Sequence, residues 1–159
     1  MTSPAPESTP VTTALDRLGI PYIFFRHPGP VHSLEQAAIE RNQRPEQVIR
    51  SILFRITDRN YVMVLVGGPK LISWPKLRSY LGVSRISMAS PEEVQALTGY
   101  PIGAVSPFGI QHPIRILVDE GILQEGEISI GSGLRNTTII MKQVDLMQAL
   151  GEVEIGTFG

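Results

Sequence analysis

From Tyr100 to Gly109 the chain reads Tyr-Pro-Ile-Gly-Ala-Val-Ser-Pro-Phe-Gly, with no histidine or cysteine to act as base or nucleophile. What this stretch offers is backbone. Gly103 and Gly109 let the main chain approach a ligand closely, and Pro101 and Pro107 stiffen it. Such a loop can hold amide and carbonyl groups at a fixed reacting position without using side chains. Within it, Gly103-Ala104-Val105-Ser106-Pro107 spells Gly-x-x-x-Pro. That pattern alone has little specificity, because Gly and Pro also mark an ordinary helix–strand connection.

Other candidates are scattered. In the run Val48 to Ile56, alternate residues place Arg50 on one face with Val48, Ile52, Phe54 and Ile56. Either this arginine snorkels to water at a strand end, or it aims a cation into a site. Ser51 points the other way. Gly131-Ser132-Gly133 follows an apolar run and could cradle a phosphate through its amides. It lacks a Gly-Lys-Ser/Thr ending and no helix follows, so a dinucleotide fingerprint is absent; a tight turn explains it equally well. Asp119-Glu120 closes another apolar run, as a carboxylate pair or a solvated strand end. His27, His32 and His112 lie near prolines and show no metal-ligand spacing, so no metal or cofactor is expected. His32 stands at a helix start and could touch a ligand.

The elements that must position these residues are legible from caps and periodicity. Thr9-Pro10 opens a helix that Gly19 stops. Ser33-Leu-Glu-Gln36 forms a capping box for a helix to about Arg41. Ser73 caps a helix over 74–81 and Ser90 another, ended by Gly99, and a last helix covers 145–150. Strands are expected over 21–26, 48–57, 61–66, 114–118, 127–130 and 137–141, with Asp58-Arg-Asn60 turning a hairpin. Strands and helices do not alternate strictly. The expected fold is therefore α+β, a mixed, mainly antiparallel sheet surrounded by short helices.

Composition limits the function. The 159 residues fit one domain, and 42% are apolar. With 14 basic and 15 acidic residues there is no global field for nucleic acid, so any such partner needs a local patch. Arg41, Arg44, Arg50, Lys70, Lys76, Arg78 and Arg85 are expected to line one side of a site. The absence of cysteine removes disulfides and thiol catalysis and is compatible with a cytoplasmic protein. No apolar run approaches the about 20 residues of a membrane span. Residues 1–10 read as a disordered leader and 11–159 as a single domain.

The segments Val48–Phe54, Val62–Lys70, Ala89–Val94, Thr98–Gly109, Ile116–Asp119 and Gly131–Arg135 occur in an order that resembles the YbaK/ProX family of aminoacyl-tRNA deacylases. That family includes the editing insertion of bacterial prolyl-tRNA synthetases. The resemblance runs from about Leu15 to Leu150. It implies a barrel-like sheet wrapped by helices, and hydrolysis of the ester between a wrong, small amino acid and the terminal ribose of tRNA. It implies that Gly103, Ala104, Val105 and Ser106 offer backbone donors to the aminoacyl carbonyl. Pro107, Phe108 and Gly109 complete that loop, and Gly131, Ser132 and Gly133 shape the pocket floor. His32, Ser51, Lys70 and Asp119 are further substrate-binding candidates.

No covalent nucleophile is then needed, since the ribose hydroxyl of the substrate can help position water. The implied partner is the acceptor end of a mischarged tRNA, with no membrane and no metal; a homodimer is compatible with the sequence. One departure stands out. The family's pocket lysine falls at Arg50, and arginine is a planar fork that stays charged. Arg50 could clamp a phosphate or ribose, with Lys70 as a basic neighbour. Alternatively, the chain is a binding module for a tRNA end or nucleotide, without hydrolysis.

Overall fold

The computed structural model describes residues 8–159. Of the expected leader, residues 1–7 lie outside the described residues, while Thr9 and Pro10 begin helix α1 (Pro10–Arg17). Helix starts follow the local signals. The Thr9 hydroxyl accepts from the Thr12 amide at 3.3 Å. Ser33 caps α2 (Leu34–Glu40), Ser73 caps α3 (Trp74–Leu81) and Ser90 caps α4 (Pro91–Thr98). Each cap satisfies an amide the helix leaves unpaired.

The box expected at Ser33 is only half made. Gln36 Oε1 reaches one residue further back and accepts from the His32 amide at 2.8 Å. Its Nε2 is held by the Pro30 carbonyl and the Glu40 carboxylate, which draw the side chain away from the cap. Helix α5 (Gln143–Leu150) has no side-chain cap.

Eight strands form among the described residues: β1 (Ile23–Arg26), β2 (Ile49–Thr57), β3 (Asn60–Gly67), β4 (Ser87–Met88), β5 (Arg115–Asp119), β6 (Glu127–Gly131), β7 (Thr137–Lys142) and β8 (Glu154–Gly156). They make a three-stranded sheet, β1-β7-β6, and a five-stranded sheet, β4-β2-β3-β5-β8. The β3–β5 and β5–β8 pairs are parallel, and the others are antiparallel. The mixed, mainly antiparallel α+β fold expected from the sequence is what forms. No closed barrel arises among the described residues, because the two sheets share a single isolated backbone bridge, Val48 with Ser129.

Strand β3 is buried on both faces, which explains its unbroken apolar run Val62-Met-Val-Leu-Val66. Met63 and Leu65 join Ile49, Leu53 and Val118 in the larger core. There they meet Ile128, Ile130, Ile139 and Met141 of the other sheet, with Val11 and Leu15 of α1. Val62 and Val64 face the smaller core with Phe54, Leu77, Leu117 and Phe158. Full burial of each such side chain contributes about 1.5–3 kcal/mol. The alternation along β2 is as the sequence implies. Ile52, Phe54 and Ile56 pack on the smaller core and Ile49 and Leu53 on the larger.

Candidate functional site

A cleft of about 430 Å³ opens beside the bridge between the sheets. Strand β2 gives one wall with Ile49, Ser51 and Ile52, and α2 another with Leu34, Ala37 and the adjoining Arg41. The Gly-x-x-x-Pro loop contributes Gly103 and Val105, and β6 ends beneath it at Gly131. Most of this lining is apolar. A small pocket of about 130 Å³ continues past Ser51, Gly103 and Val105 toward Met88 and Val94.

The loop is held rigidly from behind. Gly99 ends α4 with φ of 83°, a left-handed conformation that suits glycine. Tyr100 then turns into the core, where its hydroxyl donates to the Phe108 carbonyl at 2.6 Å and so closes the loop on itself. Burial pushes this phenol up to about 12. Ser106 is fully buried and its hydroxyl accepts from the Phe108 amide at 3.2 Å. Pro107 and Phe108 are buried too, while Gly109 sits against the Tyr100 hydroxyl and the start of α1.

Gly131, which ends β6, and Gly133 just beyond it fit against this loop. A Cβ at Gly131 would collide with the Val105 carbonyl, and one at Gly133 would lie 2.8 Å from the Tyr100 ring. The Gly133 amide donates to the Ala104 carbonyl at 2.9 Å, and the Ala104 amide to the Pro101 carbonyl at 3.1 Å. Among the described residues, the amides of Gly103, Val105 and Ser106 find no acceptor. Ser132 is buried in a local turn, bonded to Leu134 and Thr137. The Ser51 hydroxyl is buried beside the cleft and has no partner among the described residues.

The structure separates the remaining candidates. Arg50 borders the cleft, but its Nε donates to the Gly68 carbonyl at 2.8 Å and its Nη2 to the Lys70 carbonyl. Partial burial lowers its pKa. Lys70 and Asp119 lie along another cleft, about 410 Å³, with Glu46 and Gly121. The Asp119 carboxylate accepts from the Phe158 amide at 2.8 Å and the Gly121 amide at 3.1 Å, with Lys70 Nζ 3.8 Å away. His32 is exposed and does not line the cleft. The expected basic wall does not form. Of its seven residues, Arg41 and Arg50 line the cleft, Arg44 pairs with Glu125, and Lys76 donates to the Gly159 carbonyl.

One polar chain was not foreseen. Arg41 Nε donates to His27 Nε2 at 3.1 Å, and Nη1 to Ser129 Oγ at 2.9 Å. A guanidinium has no acceptor, so His27 Nε2 must be the acceptor and Nδ1 carries the proton. Nδ1–H faces Glu40 Oε1 at 2.6 Å. The Ser129 hydroxyl donates to Gln43 Oε1 at 2.9 Å, and Gln43 Nε2 donates to Glu127 Oε1 at 3.1 Å. Burial lowers Arg41 to about 10, which still leaves it charged at neutral pH. The sequence held one hint: Ser129 is a hydroxyl between Ile128 and Ile130, both core residues.

The chain is similar to known proteins. The Proline--tRNA ligase of Thermosipho melanesiensis is 33% identical over 110 residues, 69% of this chain and 19% of that protein. That of Thermosipho africanus is 36% identical over 92 residues, 58% of this chain and 16% of that protein. The chain spans about a fifth of the length of the curated relatives it matches. A crystal structure described as a candidate trans-editing enzyme for prolyl tRNA synthetase superposes with a TM-score of 0.86 at 25% identity, covering 98% of both chains. The family model described as aminoacyl-tRNA editing domain matches residues 28–149, which contain the cleft, its loop and all of the polar chain except His27. This chain belongs to the aminoacyl-tRNA editing domain family.

Proposed function

We propose that the protein is a hydrolase that acts in trans on mischarged tRNA, removing a small amino acid from the terminal ribose. The observation that carries this reading is the set of unpaired amides at Gly103, Val105 and Ser106, on a loop whose Gly103 and Val105 border the apolar cleft. In this reading the aminoacyl side chain enters the apolar cleft and the ester carbonyl faces those amides. Water attacks the carbonyl carbon, and the amides stabilise the oxyanion as it forms. The acyl–oxygen bond then breaks, and the ribose oxygen leaves with a proton. Loss of one such donor typically costs on the order of 100–1000-fold in rate. Gly131 and Gly133 keep the loop in register, and Ser51 offers a hydroxyl to the amino group or side chain of the substrate. Lys70 and Asp119 support the fold around the chain's last residues rather than touching substrate. The similarity to proline–tRNA ligases makes tRNA for proline, wrongly charged, the first substrate to try.

The test is deacylation of tRNA charged with alanine, serine, cysteine and proline, by wild type and Arg50→Lys side by side. Turnover of a small, wrong amino acid by wild type is expected. The engagement of Arg50 with the Gly68 and Lys70 carbonyls favours a second reading, a tRNA-end binding module without hydrolysis. An inert wild type beside an active lysine variant would establish that reading instead.

A further inference from the structure

A second cleft, about 510 Å³, joins the first along Val31, Arg41, Gly103 and Thr137. Its chemistry is different. Its lining includes His27, Arg41, Arg135 and Asn136, and no carboxylate. Neither arginine has a carboxylate within 4 Å among the described residues. Arg41 spends Nε and Nη1 on His27 and Ser129, so three of its five N–H groups have no acceptor there. Arg135 spends Nε on the Ile102 carbonyl at 3.2 Å, which anchors its side chain to the reactive loop while its terminal nitrogens stay free.

Glu40 is the carboxylate nearest in sequence to Arg41. It is occupied by His27 Nδ1 and Gln36 Nε2, so it holds Arg41 in place through His27 rather than pairing with it directly. The result is two cations, one of them half-buried and fixed, facing a shared space whose lining holds no carboxylate. A half-buried guanidinium beside an exposed, anchored one calls for an anion with several acceptor oxygens.

We infer that this second cleft binds a phosphodiester of the single-stranded RNA end, next to the nucleotide whose ester lies at Gly103. The inference rests on the editing reading and adds a division of labour. The apolar cleft takes the amino acid, the arginine cleft takes the strand, and Gly103 stands at their junction. Because Arg41 is held by His27 and Ser129 and Arg135 by the Ile102 carbonyl, the contact positions the ester rather than merely attracting the tRNA.

The experiment titrates the trinucleotide cytidine–cytidine–adenosine, which carries no amino acid, into wild type, Arg135→Gln and Arg41→Gln. It also measures KM and kcat on alanine-charged tRNA at several salt concentrations. Each substitution is expected to weaken trinucleotide binding and raise KM about tenfold, by removing one charged phosphate contact. Each is also expected to reduce the slope of log affinity against log salt by about 0.7–1. Arg135 is exposed, so its variant folds whether or not Arg41→Gln does. Unchanged trinucleotide affinity and salt slope in Arg135→Gln would overturn the inference. Should wild type hydrolyse no aminoacyl-tRNA, the trinucleotide titration alone decides this inference, and the two failures stay distinct.

Discussion

The Tyr100 hydroxyl donates a 2.6 Å hydrogen bond to the carbonyl of Phe108, bracketing the Gly-x-x-x-Pro segment between two points of the core. Tyr100→Phe keeps the ring and removes the bond, leaving a buried carbonyl without its donor. The expected cost is about 1–3 kcal/mol of stability, read from the shift in urea midpoint. Deacylation should fall about tenfold or more, because loosened amides no longer hold the reacting geometry. A variant as stable and as active as wild type would show that the bond does not set the loop.

Gly131 is the point at which β6 presses on the loop. A methyl there would collide with the Val105 carbonyl and lie 2.8 Å from its carbon, so backbone must yield to backbone. Gly131→Ala is expected to lose on the order of 100-fold in kcat and about 1–3 kcal/mol of stability. Gly126→Ala is the control, since a Cβ there meets nothing within 4 Å.

Ser51 has a buried hydroxyl with no partner among the described residues. Such a group costs stability until something bonds to it. Ser51→Ala should therefore leave the thermal midpoint unchanged or raise it, while lowering kcat/KM on the preferred substrate. A stability loss with unchanged activity would mean that the hydroxyl serves the fold instead.

Hydrogen bonds from Gln36 and from His27 hold the Glu40 carboxyl below its ordinary value. A carboxylate lowered in this way stabilises the fold above its unfolded value and loses that contribution as pH falls through the folded value. Glu93, held down by the Ser90 amide and the Tyr61 hydroxyl, and Glu154, held down by Arg115, behave alike. The thermal midpoint should drop as pH falls below about 4.5. Glu40→Gln should flatten the profile in that range. A variant with the wild-type acid profile would remove Glu40 from the account.

What the sequence made legible is what residues decide within a few positions of themselves. Ser73 and Ser90 announce α3 and α4 because a cap bonds three residues ahead. Strands β4 and β8 carry no such signal. Ser87–Met88 and Glu154–Gly156 are too short for a period and become strands through their pairing with β2 and β5. The site shows the same division. Gly103 to Ser106 stood out because two glycines and two prolines punctuate one loop. The setting of Arg41 depends on Ser129, 88 residues away, and on His27, which burial rather than spacing makes structural. Arg50 borders the cleft, and the carbonyls that engage it belong to a turn whose return path no local pattern gives.

The single bridge between Val48 and Ser129 has a consequence for how such a pocket diversifies. Where a ladder of hydrogen bonds joins two walls, changing the gap breaks the ladder. Here the walls are spaced by side chains, with Arg41 clasping Ser129 beside the bridge. Exchanging those few spacers resizes the aperture while each sheet keeps its own register. In the editing reading proposed above, selectivity for a different amino acid is set by those spacers, with both sheets left as they are.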